Sequence, residues 1–204
     1  MARIKLTKGE LKRQRDDLKQ YERYLPTLQL KKQQLQLEIL QQYHFLEERQ
    51  KDISAKKAAL VAWAGLFSGE QAFLSGLLKV KKVMATEKNV AGVDIPVFQS
   101  IDFEVAEYDL FLTPLWVDAA IEALKGIGAL RQEINLIEQG IVILKAELRI
   151  TTQRVNLFEK VKIPEATEAI RRIKIYIGDQ MSNAVGRSKI AKNKIEADML
   201  EVAI

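Results

Sequence analysis

Residues 117–158 read VDAAIEALKGIGALRQEINLIEQGIVILKAELRITTQRVNLF, and two apolar series run through them at a spacing of seven. One is Ala120, Ile127, Ile134, Ile141, Leu148 and Val155. The other, three positions on, is Ala123, Leu130, Ile137, Leu144, Thr151 and Phe158. A seven-residue repeat held over this length signals a helix whose a and d positions face another helix in a coiled coil. Near Pro164 the repeat slips by one position, to Ile163, Ile170, Ile177 and Ala184 with Ala166 and Ile173. Such a slip predicts a local change of supercoil or a kink.

Working outward, an earlier series starts at Leu11 and continues through Leu18, Leu25, Lys32, Ile39, Leu46, Ile53, Leu60, Phe67 and Leu74. Its companions are Tyr21, Leu28 and Leu35, then the polar Gln42, Arg49 and Lys56. These place a first helical arm over about residues 7–80, disturbed at Pro26, which lacks the N–H for its turn. Two arms of about 75–80 residues each, at 1.5 Å per residue, predict a rod of roughly 110–120 Å.

The chain between the arms is different in kind. Val90–Phe98 and Ile101–Val105 alternate in hydrophobicity and are rich in β-branched and aromatic residues, which predicts a β-hairpin, with Pro96 on an edge. A lone hairpin is marginal in water, so it is expected to lean on the coil or on a partner. Residues 58–78 are rich in Ala and Gly and are assigned to the end of the first helix. The expected fold is all-α: a long antiparallel two-helix coiled coil with a small β-hairpin at the turn end, divided 1–83, 84–115 and 116–204. With the turn centred there, residue i is expected to face residue 200 − i. The basic ends of both arms then meet at one tip, carrying Lys5, Lys8, Lys12, Arg13, Arg187, Lys189 and Lys192, and an acidic hairpin lies at the far end.

Composition supports helices and excludes much chemistry. Charged residues make up 29% and aromatics 7%, with four prolines and ten glycines. The net charge of +5 is uneven: residues 1–60 hold 14 Lys/Arg against 8 Asp/Glu, and residues 61–115 hold 4 against 7. There is no cysteine, so disulfides and thiolate metal sites are excluded, and the single histidine, His44, cannot make a histidine-based zinc site. The glycines of residues 178–189 lack phosphate-loop spacing. The longest apolar run, Ala58–Phe67, is half of what a membrane span needs, and residues 1–5 offer no secretory signal. No catalytic residue, metal or cofactor is expected. A pI of 9.3 raises a competing reading, a coiled-coil scaffold that binds nucleic acid. It ranks lower, because the cations are interspersed with acids and no aromatics interleave them.

Residues 152–164, TQRVNLFEKVKIP, carry a further signal. Thr152, Arg154, Val155, Asn156, Glu159, Val161, Ile163 and Pro164 resemble the signature of the D subunit of the V-type (vacuolar/archaeal-type) rotary ATPases. The opening Leu6-Thr7-Lys8 with Leu11-Lys12, and the mid-chain segment Gly92–Phe98, resemble that family too. Tyr24–Lys32 and Leu157-Phe158 depart from its usual pattern and suggest a divergent bacterial branch. The resemblance implies a non-catalytic central rotor shaft that couples nucleotide turnover to ion translocation. Its implied partners are a hexamer of catalytic A and non-catalytic B subunits around the termini, a small F subunit on the lower coil, and a funnel-shaped C or d subunit at the base. It also implies a cytoplasmic place peripheral to the membrane, without insertion. Base contacts are then expected at Val93, Ile95, Pro96 and Phe98.

Overall fold

The computed structural model describes residues 5–61, 77–109 and 113–202, with side chains described as far as residue 196. Among the described residues, five elements and one irregular turn follow in order: α1 (Lys8–Val61), β1 (Leu78–Val90), β2 (Val93–Val105), α2 (Val117–Leu157), a π-helical turn (Phe158–Lys162) and α3 (Ile163–Val202). The chain divides into two compact units, one formed by residues 31–151 and the other by residues 1–30 with 152–204.

The heptads account for α1. Its covered positions include Leu11, Leu18, Leu25, Lys32, Ile39, Leu46, Ile53 and Leu60, and between them Tyr21, Leu28, Leu35, Gln42 and Arg49. Both expected edges are therefore turned inward as far as Arg49, whereas Lys56, the last companion position, is exposed. Phe67 and Leu74 lie outside the described residues. Thr7 starts the helix: its hydroxyl accepts from the Glu10 N–H at 3.3 Å, satisfying one of the free donors of the first turn. The helix runs through Pro26 without interruption. Pro26 is exposed, so the carbonyl it cannot pair faces water.

In the unit of residues 31–151, α1 and α2 are antiparallel and the hairpin folds back along them. Leu35, Ile39, Ile95 and Leu144 form one buried cluster, with Val90, Ala91, Val93 and Leu148 against it. Two glycines of α2 admit the hairpin closely: a Cβ on Gly128 would stand 3.1 Å from the Phe103 ring, and one on Gly140 would stand 3.8 Å from Ile95. A second cluster of Leu77, Val117 and Ile121, with Leu78, Val105, Tyr108 and Trp116 packed on it, anchors the open end of the strands. The expectation that a hairpin needs support from the coil is thus met within the chain.

Three expectations are corrected. β1 begins at Leu78, so residues 79–83, assigned above to the first arm, are strand. The two expected strands, Val90–Phe98 and Ile101–Val105, do not pair with each other but fall almost wholly on the single strand β2, which pairs with Leu78–Val90. Residues 79–82 are all exposed and a bulge lies between Val80 and Lys82, so this stretch lacks the two-residue alternation that marks a strand in sequence. The facing register is also different. In this unit Lys31 meets Glu147, Arg49 meets Glu133 and Gly126 lies against Lys56. In the other unit Tyr21 stacks on Phe158, ring centroids 5.3 Å apart. Each pair of numbers adds to between 178 and 182, not 200. The cause is the same, since the fold-back lies between Val61 and Val117 once the long strands leave the first arm. Third, Ala184 is exposed and does not continue the seam, which ends at buried Ile173 and half-buried Ile177.

The hairpin turn places Ala91 at φ 51° and Gly92 at φ 79°. A two-residue loop with both centres left-handed matches the twist of the strands, and the Asn89 side chain accepts from the Gly92 N–H at 3.1 Å. Ala91 has a Cβ in a region that disfavours it. Ala91→Gly is expected to raise stability by about 0.5–1 kcal/mol, partly offset by lost contact with the core below. A lower melting midpoint for that variant in thermal unfolding would contradict this.

Candidate interaction surfaces on the helical arms

Cross-helix ion pairs fix the facing of α1 and α2. Lys31 Nζ lies 2.7 Å from Glu147 Oε1, and Arg49 Nε lies 2.8 Å from Glu133 Oε1 while its Nη1 reaches Asp52 at 2.9 Å. Asp52, then Glu133, hold the Arg49 guanidinium charged above its ordinary range. Lys88 of β1 meets Glu38 of α1 at 3.2 Å, and Lys145 donates to the Tyr43 hydroxyl while sitting 5.0 Å from that ring's centre. All four are at least partly solvated, so each adds modest stability and mainly sets register.

The residues singled out from sequence fall into four places. Lys5, Lys8, Lys12 and Arg13 are exposed around the start of α1. Arg187, Lys189 and Lys192 are exposed on α3, where every described residue from Gly178 to Glu196 is exposed. A register near 180 puts Lys8 level with about residue 172, so Arg187 lies roughly 20 Å further along the helix axis. The two cationic groups are therefore not brought to one level. The expected common tip is replaced by a stepped end, with α3 continuing past the start of α1.

The signature residues 152–164 straddle the end of α2, the π turn and the start of α3. Val155 is buried, Thr152 and Ile163 are half-buried, and Arg154, Asn156, Glu159 and Pro164 keep at least partial exposure. At the hairpin, Ile95 is 1% exposed and Val93 is half-covered, both against the chain's own helices. Ile95 therefore holds the hairpin down and is not free for a partner, because alternation along β2 points it inward. Pro96 and Phe98 keep partial exposure.

Sequence reasoning passed over the outward apolar residues. Leu37 and Leu40 of α1 are 61% and 66% exposed, and Val142, Ile143 and Ile150 of α2 are 66%, 40% and 42% exposed. Leu136, Ile143 and Ile150 repeat by seven, a signal available in the sequence but masked by the stronger inner seams. An open groove of about 640 Å³, lined by Gln33, Gln36, Leu37, Ile39, Leu40, Tyr43 and Leu148, lies beside them. It carries no carboxylate, amine or imidazole, so it suits apolar contact rather than bond chemistry. Among the described residues, no group of three His, Asp or Glu is placed to hold a metal, and no helix is long and apolar enough to cross a membrane.

Glu168 is a local charge centre on α3. It accepts from Arg171 Nε at 2.8 Å and from Arg172 Nε at 3.0 Å, and these two guanidinium groups pull its carboxyl down to about 2. A lowered carboxyl favours the folded form above the unfolded carboxylate range, near 4.5, and loses that contribution as pH falls toward 2. The melting difference between the parent and Glu168→Gln is therefore expected to be small, screened by salt, largest above pH 4.5, and to shrink on acidification. A difference that grows below about pH 4 contradicts the assignment.

With this geometry established, known proteins resemble the chain over nearly its whole length. The family of ATP synthase D subunits matches residues 10–193. The V-type ATP synthase D subunit of Borreliella burgdorferi is 47% identical over 195 residues, covering 96% of this chain and 96% of that protein. The proteins of the same description from Chlamydia pneumoniae and Chlamydia caviae are 33% and 34% identical, over 202 and 199 residues and 96% of this chain in each case, and over 94% and 95% of their own lengths. Paired heptad arms, a supported hairpin and a signature across the helix junction thus coincide with a match over nearly the whole length, and the chain belongs to the V-type ATP synthase D-subunit family.

Proposed function

We propose that this chain is the non-catalytic central shaft of a V-type rotary ATPase or ATP synthase, coupling nucleotide turnover to ion translocation by rotation. The observation that carries the reading is the single-helix extension of α3, cationic and apolar residues exposed together, beyond the paired arms. Met181, Val185, Ile190 and Ile195 are 54–69% exposed there, among Arg187, Lys189, Lys192 and Lys194. A lone helix of this kind suits insertion into a surrounding ring that supplies both apolar and acidic surface.

On this reading the alternating hexamer of A and B subunits encloses the end bearing the N-terminus and α3. Lys5, Lys8, Lys12 and Arg13 act at one level of the bore, and Arg187, Lys189 and Lys192 at another. The small F subunit takes the outward apolar face of the arms. The funnel-shaped C or d subunit receives the hairpin-bearing unit, with Pro96 and Phe98 among the hairpin residues left accessible. The protein works in the cytoplasm, peripheral to the membrane. One asymmetric shaft presents a different face to each catalytic interface, so nucleotide state and shaft angle bias one another reciprocally. Exposed charge pairs suit such a contact because each is individually weak and readily exchanged.

The test is gentle extraction of the tagged chain from its native membranes and measurement of its stoichiometric companions. One copy recovered with three each of two nucleotide-binding subunits and one small subunit is the expected result. Recovery of nucleic acid, or of this chain alone, would overturn the proposal in favour of a scaffold.

A further inference from the structure

The buried series on the second arm steps by seven to Val155 and Phe158, then by eight to Ile163 and Ala166. The π turn lies in this interval: the Ile163 N–H donates to the Phe158 carbonyl, five residues back, where an α-helix would bond four back. One residue beyond the repeat is thereby absorbed. On either side the same face stays covered, with Val155, Ala166 and Ile173 at 4%, 3% and 0% exposure. Pro164 follows at once. In a regular α-helix its ring would meet the carbonyl of Lys160, and it supplies no N–H of its own. The widened turn in front of it relieves both, so the proline and the surplus residue are matched. Tyr21 stacks on Phe158 at the first residue of the turn and holds that end to α1.

We propose that Phe158–Lys162 is a compliant joint: a turn holding one residue that packing does not require, whose bonding can shift between four-back and five-back patterns when the arm is twisted. Its task as a torsional joint rests on the shaft reading above, whereas the surplus of one residue does not. Nothing on the seam needs the extra residue, since removing it restores an unbroken seven-residue repeat from Val155 onward. A deletion elsewhere in the seam would instead turn every later side chain by about 100°.

The experiment uses the full chain with Lys160 removed and Pro164→Ala introduced together, because removal of Lys160 alone would leave the proline inside a regular α-helix. Pro164→Ala by itself and removal of Ala146, from the uninterrupted part of α2, serve as controls. In thermal unfolding the double variant is expected to melt at or about 2–4 °C above the parent, and the Ala146 deletion well below it. In the reconstituted complex the double variant is expected to keep ATP hydrolysis and lose part of the ion transport that hydrolysis drives, with Pro164→Ala intermediate. A double variant melting as low as the Ala146 deletion would show that the residue is not surplus. One that couples as well as the parent would remove the joint's task. A parent chain that builds no coupled complex sinks the shaft reading and the torsional role with it, while the melting comparison still decides the surplus residue.

Discussion

Leu144→Ala is expected to lower the melting midpoint as much as any single truncation of a described aliphatic side chain in the unit of residues 31–151. Leu144 is 0% exposed and joins Leu35 and Ile39 of α1 to Ile95 of the hairpin. Its truncation removes the transfer contribution of the lost carbons and leaves a void that three separate elements would have to move to fill. Losses at such sites run about 2–5 kcal/mol, which for a chain of this size corresponds to roughly 5–20 °C. The neighbouring Ile143 gives the matched control, being 40% exposed on the outward face. Ile143→Ala is expected to change stability by about 0.5–1 kcal/mol at most in the isolated chain. Equal midpoints for the two variants would mean that the inner seam is not where the arms gain their stability. Leu35→Ala combined with Leu144→Ala should cost less than the two separate losses together, since both open the same space.

How far the sequence could be read follows from what each signal depends on. The arms were legible because a seven-residue repeat is a local property that survives without knowing the partner, although the polar Gln42 and Arg49 turn out half-buried on the second edge. Arg49 shows why polar seam residues are tolerated: Glu133 and Asp52 receive its guanidinium. The register of the arms was not legible, because it depends on the length of chain spent in the turn. Expecting the hairpin's first strand at Val90–Phe98, when it is Leu78–Val90, lengthened the first arm, and facing numbers that add to near 180 were expected to add to 200. The inward role of Ile95 was hidden for a related reason. Alternation says which residues share a face of the hairpin, but the cover supplied by Leu35 and Leu144 comes from residues far along the chain. The slip near Pro164 was visible as a change of spacing, whereas its resolution as a π turn needed the backbone. The cationic residues at both ends were visible in the uneven charge of the chain. Their separation into two levels was the consequence of a register that composition does not contain.

That separation sets the second large effect. Removal of residues 178–204 is expected to leave the melting midpoint of the isolated chain close to that of the parent, because every described residue from Gly178 to Glu196 is exposed and the seam ends at Ile177. Lys192 pairs with Glu196 one turn on, an exposed contact 3.5 Å long within the same helix. Within the proposed complex the same truncation is expected to uncouple ATP hydrolysis from ion transport, since the helix that would engage the ring is gone while the paired arms remain. Circular dichroism should show the expected loss of helical residues and no more. The sharper variant keeps the helix and neutralises its cations, with Arg187→Gln, Lys189→Gln and Lys192→Gln together. If the ring is held by charge, this variant should uncouple nearly as far as the truncation. Its defect should then be mimicked in the parent by raised salt, which screens exposed charges over about 10 Å at roughly 0.1 M. If Met181, Val185, Ile190 and Ile195 carry the contact instead, the neutralised variant should couple normally while their replacement by Ser does not. Full coupling in the truncated chain would overturn the placement of α3 in the bore under either account, and would leave the start of α1 as the end that engages the ring.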